Sequence, residues 1–213
     1  MSIFFNSNIA NNYDSYYETE EGRKIDEIEK NIISELLPIV PDNSMLELGC
    51  GSGHWTQFFV EKGFKVTGVD MSQAMLNIAR QKKIGAQLLL ANCENLPFAD
   101  YSYSFIATIT MLEFVDDIDK VIKEIYRVLK KGGYLIIGFL NADSVIATNR
   151  ASGEVLKNAQ FLSVTDVKTK FNQLKLLQIK SGVYLNQDYS IIENANSITD
   201  IPPVFIGALF QKV

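Results

Sequence analysis

Residues 45–55 read MLELGCGSGHW, and the fold turns on how they are taken. Met45–Leu48 is a short apolar run of the kind that forms a strand covered on both faces. Glycines then alternate at positions 49, 51 and 53. Glycine reaches positive φ without steric cost and lets a ligand approach bare main chain. Thr56–Lys62 follows as a short helix and stops at Gly63. Ligands of such sheets bind at the carboxyl ends of the strands. A tight strand–helix turn with no ligand is the plainer alternative. Three alternating glycines behind a carboxylate, Glu47, weigh against it.

Downstream the alternation continues. Lys65–Val69 is a strand ending at Asp70, and Ser72 caps a helix running to about Lys82 with Met75, Leu76 and Ile78 inward. Ala86–Leu90 and Tyr103–Ile109 are further strands. Asp117–Lys130 repeats apolar residues at three and four and is ended by Gly132-Gly133. Tyr134–Leu140 is a continuous strand-forming run. Alternation over nearly 100 residues predicts a parallel sheet with helices on both faces. After residue 140 the rhythm changes. Ser144–Asn158 and Thr165–Gln173 read as helices, with Ser163 a cap for the second. Leu176–Tyr184 and Val204–Val213 read as strands joined by residues 185–203, without a long helix between them. That predicts an antiparallel hairpin at the sheet edge. The expected fold is therefore α/β, a Rossmann-like, doubly wound, mostly parallel sheet with a C-terminal antiparallel hairpin strand.

Upstream, residues 19–37 place Ile25, Ile28, Ile32, Ile33, Leu36 and Leu37 at helical spacing, ended by Pro38 and Pro41. Residues 1–17 are rich in Asn, Tyr and Ser and read as irregular. At 213 residues the chain is expected to be one domain. Its divisions are an N-terminal lid segment and helix at 1–40, a binding core at 41–140 and an acceptor-side part at 141–213. A net charge of -5 without a basic cluster argues against nucleic acid. Cys50 and Cys93 form no CxxC pair, and with one histidine no metal site is expected. No apolar run approaches a membrane span and no signal peptide is evident, so a cytoplasmic location is expected.

Asp70 stands 21 residues after Gly49, where a carboxylate can accept both hydroxyls of a ribose. Alone it could equally be a loop acid or a helix cap. A dinucleotide fingerprint needs a glycine at position 54, where His54 stands. An acid just before the glycines also suits a cationic amine better than a pyrophosphate. An oxidoreductase is thereby disfavoured.

The stretches LELGCGSGHW, VTGVDMSQAMLNIAR, ANCENLPF and MLEFVDDIDKVIKEIYRVLKKGGYLIIGFLN resemble the class I S-adenosylmethionine-dependent methyltransferases of the type 11 group. YDSYYETEEGRKIDEIE resembles the opening of one subgroup. The resemblance fades after residue 141 and says nothing of the methyl acceptor. It implies that Gly49, Gly51 and Gly53 line the methionine and ribose moieties. Glu47 lies near the methionine ammonium, Asp70 holds the ribose hydroxyls and Met71 packs on adenine. Asn92 and Cys93 meet the adenine edge, while Thr110 and Met111 approach the methionine part. Two positions depart from the family, which usually has Asp at Asn92 and often Asp at Ser104. Asn92 can still accept a hydrogen bond, without charge assistance. That softening leaves open a non-catalytic protein that binds the cofactor or its demethylated product. At Ser104 only a local structural change is expected.

Tyr13, Tyr16 and Tyr17 cluster before the long helix. By resemblance this segment, Tyr17 included, is a lid over the cofactor, whose sulfonium aromatic faces attract. Simple anchoring of the helix is the alternative, and the two are compatible. His54 and Glu113 are the weak catalytic candidates. The position of His54 at a helix N-terminus disfavours its charged form, and packing or capping is the plainer role. Glu113 falls in the loop after the fourth strand, where it could orient an acceptor or simply face water. Residues 184–201 contain Asn186, Gln187, Asp188 and Glu193 and could border an acceptor pocket. The expected reaction is in-line displacement onto a small molecule, with oligomeric state unread.

Overall fold

The computed structural model describes residues 7–40, 42–148, 155–192 and 200–213. Pro41 and Glu193 lie outside the described residues, as do 1–6, 149–154 and the rest of 193–199. Seven strands form one sheet: β1 (Ser44–Leu48), β2 (Lys65–Asp70), β3 (Gln87–Leu90), β4 (Tyr103–Ile109), β5 (Leu129–Leu140), β6 (Lys175–Gly182) and β7 (Phe205–Gln211). Their spatial order is β3-β2-β1-β4-β5-β7-β6. β1 to β5 pair in parallel. β7 runs antiparallel to both β5 and β6, as the helix-free connection implied. The direction of winding reverses between β1 and β4, which opens a crevice at their carboxyl ends.

Side chains alternate across this sheet with a period of two. Leu46 and Leu48 of β1, Ile106 of β4 and Leu135 and Ile137 of β5 face one layer. That layer is closed by α6 (Ile118–Val128) and α8 (Val164–Lys170). Met45, Phe105, Ala107 and Ile136 face the other, under α3 (Glu20–Leu36) and α4 (His54–Glu61). α5 (Gln73–Gln81) covers β2 and β3, and its cap is Ser72, which accepts from the Met75 N–H. Ser163 and Asp166 form a reciprocal capping box on α8.

Several boundaries differ from the sequence reading. The segment read as irregular is helical from residue 7: α1 (Ser7–Tyr13) and α2 (Ser15–Glu18) lie against α5 and α3. Their stability comes from this docking, because helices this short do not hold in isolation. α6 ends at Val128, not Lys130, because Leu129 is already extended and pairs with Tyr103. Gly132-Gly133 therefore sit inside β5, at an irregularity with Gly132 at φ 75°. Of the helix expected over 144–158, the described parts are α7 (Val145–Thr148) and a 3-10 turn at Leu156–Asn158.

Two polar clamps hold the segments that lead into β1 and β4. Arg127 donates to the carbonyls of Leu96 and Phe98 and pairs with Glu124 and Asp100. This fixes residues 94–100 against α6. Ser104, where the resembling family often has Asp, donates to Asp42 at 2.6 Å, beside Lys130. Among the described residues no helix is long and apolar enough to cross a membrane.

Thr19 joins the N-terminal helices to the body. Its hydroxyl accepts from the Gly22 N–H at 2.9 Å and donates to the Tyr16 carbonyl at 2.8 Å. Thr19→Ala removes the cap of α3 and should cost ~1 kcal/mol in urea denaturation.

Candidate active site

The connection from β1 to α4 is held from two sides. Gly49 N–H and Cys50 N–H both donate to the Val69 carbonyl, at 2.8 and 3.0 Å. Gly49, Gly51 and Gly53 all have positive φ. A Cβ on Gly49 would stand 2.1 Å from Met111 Cγ, so no side chain fits there. Gly53, at φ 84°, is the left-handed N-cap of α4 and packs on Ile84 and Ala79. It turns the chain but does not line the crevice.

Asp70 closes the turn from β2. One carboxylate oxygen accepts from Gly51 N–H at 2.9 Å and the other from Ser72 N–H at 2.7 Å. Burial raises its pKa, against the lowering effect of these main-chain donors. Glu47 points from β1 toward α4, with 2% of its surface exposed. Thr56 donates to it at 2.6 Å, and burial pushes its pKa up to about 8, with a further contribution from Asp70. It lies beneath the turn rather than on the crevice wall.

The crevice above the turn encloses ≈ 70 Å³ and is bounded by Gly49, Gly51, Asp70, His54, Thr110 and Met111, among others. A second cavity of ≈ 580 Å³ adjoins it. Tyr13, Tyr17, Thr110 and Phe114 line both. Thr110 stands in this shared wall at φ 46°, a conformation that strains a β-branched residue.

The N-terminal helices form the roof. Tyr17 stacks on His54 with ring centroids 3.7 Å apart, and Tyr13 and Tyr17 share a side-chain hydrogen bond. Burial pushes the Tyr13 pKa up to about 12. Asp14 latches the roof: it accepts from Ser52 at 2.6 Å and pairs with Lys82 at 2.6 Å. His54 Nε2 lies 2.6 Å from Asp26 Oδ1.

The remaining expected residues scatter. Met71 is 45% exposed, outside the crevice. The Asn92 side-chain Oδ1 accepts from the Glu94 N–H in a local turn, and Cys93 is buried with its sulfur 3.9 Å from that of Met111. Glu113, read as a loop acid, is fully buried. One of its oxygens accepts from Leu140 N–H at 2.7 Å and the other has no partner among the described residues. Neither cavity is lined by it. Asn186, Gln187 and Asp188 do not line the larger cavity, although their neighbours Leu185 and Tyr189 do. Asp14, Ser52, Lys82, Phe114 and Glu29 were not anticipated. Only Glu29 left a signal, being four residues after Ile25 and three before Ile32 on the apolar face of α3.

A family model described as a methyltransferase domain, Methyltransf_11, matches residues 46–137. An uncharacterised protein of Methanocaldococcus jannaschii is 32% identical over 185 residues, covering 85% of this chain and 84% of that protein. The malonyl-acyl-carrier-protein O-methyltransferase of Serratia marcescens is 30% identical over 133 residues, 61% of this chain and 52% of that enzyme. The chain thus spans about half the length of that relative. A Thermotoga maritima crystal structure, described as an S-adenosylmethionine-dependent methyltransferase and possible histamine N-methyltransferase, superimposes with a TM-score of 0.76. It is 27% identical, with 100% of both chains covered. With the strand order, the antiparallel β7 and the glycine turn over Asp70, these likenesses converge: the chain belongs to the class I S-adenosylmethionine-dependent methyltransferases, and S-adenosylmethionine is its methyl donor.

Proposed function

We propose that the chain methylates a small molecule held in the larger cavity, while the donor lies across the carboxyl ends of β1, β2 and β4. One observation carries this reading: the two cavities share the wall formed by Tyr13, Tyr17, Thr110 and Phe114. An acceptor in one and a methyl group in the other meet at that wall.

The residues around the crevice fit a cationic nucleoside. Among the described residues no Lys or Arg lines it. Asp70 faces it, Glu47 lies buried below it, and two tyrosines roof it. Gly49 and Gly51 offer main chain to the methionine and ribose portions, with Gly53 setting the turn. Asp70 holds the ribose hydroxyls. Its oxygens retain lone pairs beyond the two main-chain bonds they accept. The methionine ammonium lies above Glu47 across the turn, where its positive charge favours the ionised form of that buried acid. Met71, Asn92 and Cys93 border the adenine, and Thr110 and Met111 border the methionine chain. Tyr17 presents its ring to the sulfonium side.

The donor brings an already activated methyl group. The protein's task is alignment and exclusion of water. Holding the reactants in line can supply about 7–11 kcal/mol of the barrier. His54 has its ring face on Tyr17 and a ring nitrogen on Asp26, so we assign it to holding the roof. Glu113 is assigned to anchoring the end of β5 through Leu140.

With the roof latched, the crevice has room for only a few waters. Entry of the donor therefore requires α1 and α2 to lift, breaking the Asp14 contacts. Asp14→Ala should speed dissociation of S-adenosylhomocysteine several-fold in stopped-flow measurements and leave the melting temperature of the free protein nearly unchanged.

Asp70→Ala should weaken S-adenosylmethionine binding at least tenfold by calorimetry, from loss of charge-assisted bonds worth about 1.5–3 kcal/mol. Unchanged affinity with an unchanged circular dichroism spectrum would refute the ribose role.

Glu47 also makes stability depend on pH. Unfolded, its carboxyl ionises near the ordinary value of 4.5; folded, it keeps its proton to about 8. The folded state thus binds the extra proton within that window, and stability falls as pH rises through it. Glu47→Gln should lose less stability than the wild type between about pH 5 and 8.5, by about 1 kcal/mol or more. Parallel urea titrations at the two pH values measure the difference.

A further inference from the structure

We infer that the methyl acceptor is an amine on an apolar or aromatic body, bound through the carboxylate of Glu29. This inference rests on the acceptor occupying the larger cavity. The wall of that cavity is predominantly apolar, with Leu140, Ile146, Leu156, Val183, Leu185 and Val204 contributing. Among the described residues its charged members are two acids, Glu21 and Glu29, with no Lys, Arg or His. Glu21 is exposed at the rim, whereas Glu29 is 9% exposed on the buried face of α3.

A carboxylate kept out of water costs stability unless it is paired. Among the described residues nothing donates a hydrogen bond to Glu29. Its neighbours make its ionisation harder: Asp26 and Glu113 add negative potential to the effect of burial, Lys30 offsets part of it, and the pKa is pushed up to about 8. Among the described residues an acceptor bearing a carboxylate or phosphate would meet two acids and no cation. An ammonium would relieve Glu29, and the rings of Tyr13, Tyr16, Tyr17 and Tyr189 in the same wall offer it cation–π contacts.

Glu29 also answers a chemical need of this acceptor class. A protonated amine has no lone pair. Transfer of one N–H proton to the Glu29 carboxylate frees the nitrogen, which attacks the methyl carbon across the shared wall. The carbon–sulfur bonding pair passes to sulfur. The nitrogen leaves as a methylated ammonium, and the positive charge moves from sulfur to nitrogen.

Two matched trios test this with the intact chain: 2-phenylethylamine, 2-phenylethanol and phenylacetate, then hexylamine, hexanol and hexanoate. Binding to the protein saturated with S-adenosylhomocysteine is read by calorimetry, and methyl transfer by labelled S-adenosylmethionine. Amines of at least one body should bind and gain the label, and the acids should do neither. Glu29→Gln should raise the KM for the amine at least tenfold, with the affinity for S-adenosylhomocysteine unchanged, and Glu29→Asp should recover part of the loss. Glu21→Gln, at an exposed position that does not threaten folding, should raise the same KM several-fold. The inference is overturned if S-adenosylhomocysteine binds but neither amine does, if acids or alcohols are the better acceptors, or if Glu29→Gln leaves the amine KM in place. Failure of S-adenosylhomocysteine to bind would strike the placement of the donor, and the inference with it.

Discussion

The turn between β1 and α4 is fixed by main-chain bonds before any ligand is considered. The Val69 carbonyl accepts from two successive N–H groups, those of Gly49 and Cys50, and the Asp70 carboxylate accepts from a third, that of Gly51. These bonds exist because β1 and β2 are adjacent and parallel, with Leu48 opposite Val69. They also require positive φ at positions 49, 51 and 53, which glycine adopts freely. The strand register thus carries the acid at the tip of β2 to the turn at the tip of β1. The crevice, its roof and the adjoining cavity are arranged around that meeting.

Charge is the second theme. Glu29, Glu47, Asp70 and Glu113 are all buried or nearly so, and burial raises the pKa of each. Among the described residues none of them has a lysine or arginine as a hydrogen-bond partner. Such groups reduce the stability of the free protein at neutral pH. They are intelligible where the substrates are cations, since a sulfonium nucleoside brings the positive charge the protein withholds. Lys212 shows the opposite arrangement. The residue is 2% exposed, and its ammonium sits within 4.4 Å of two tyrosine rings, donating to the carbonyls of Tyr126 and Leu129 at the end of α6. That charge is fully used by the fold.

The core of this design was legible because it is local. Met45–Leu48, the glycine turn and Asp70 lie within 26 residues, and the apolar periods of α3, α5 and α6 mark their buried faces without tertiary information. What escaped was non-local. Residues 7–18 have no apolar period, so their helices were invisible without the surface they dock on. The Asp14–Lys82 latch joins residues 68 apart, and neither looks unusual in sequence. Gly132-Gly133 read as a helix stop because glycine pairs usually are; here the pairing of Leu129 with Tyr103 ended the helix first. Glu113 read as a loop acid turned to an acceptor or to water because its partner, the Leu140 N–H, comes from the end of another strand.

The central claim is the placement of the donor, and a crystal structure grown with S-adenosylhomocysteine tests it most directly. The ribose hydroxyls should lie within hydrogen-bond distance of Asp70. The amino acid end should lie over Gly49, and the thioether sulfur should face the wall of Tyr13, Tyr17, Thr110 and Phe114. A nucleoside bound elsewhere, with the N-terminal helices still latched over the glycine turn, would contradict the account.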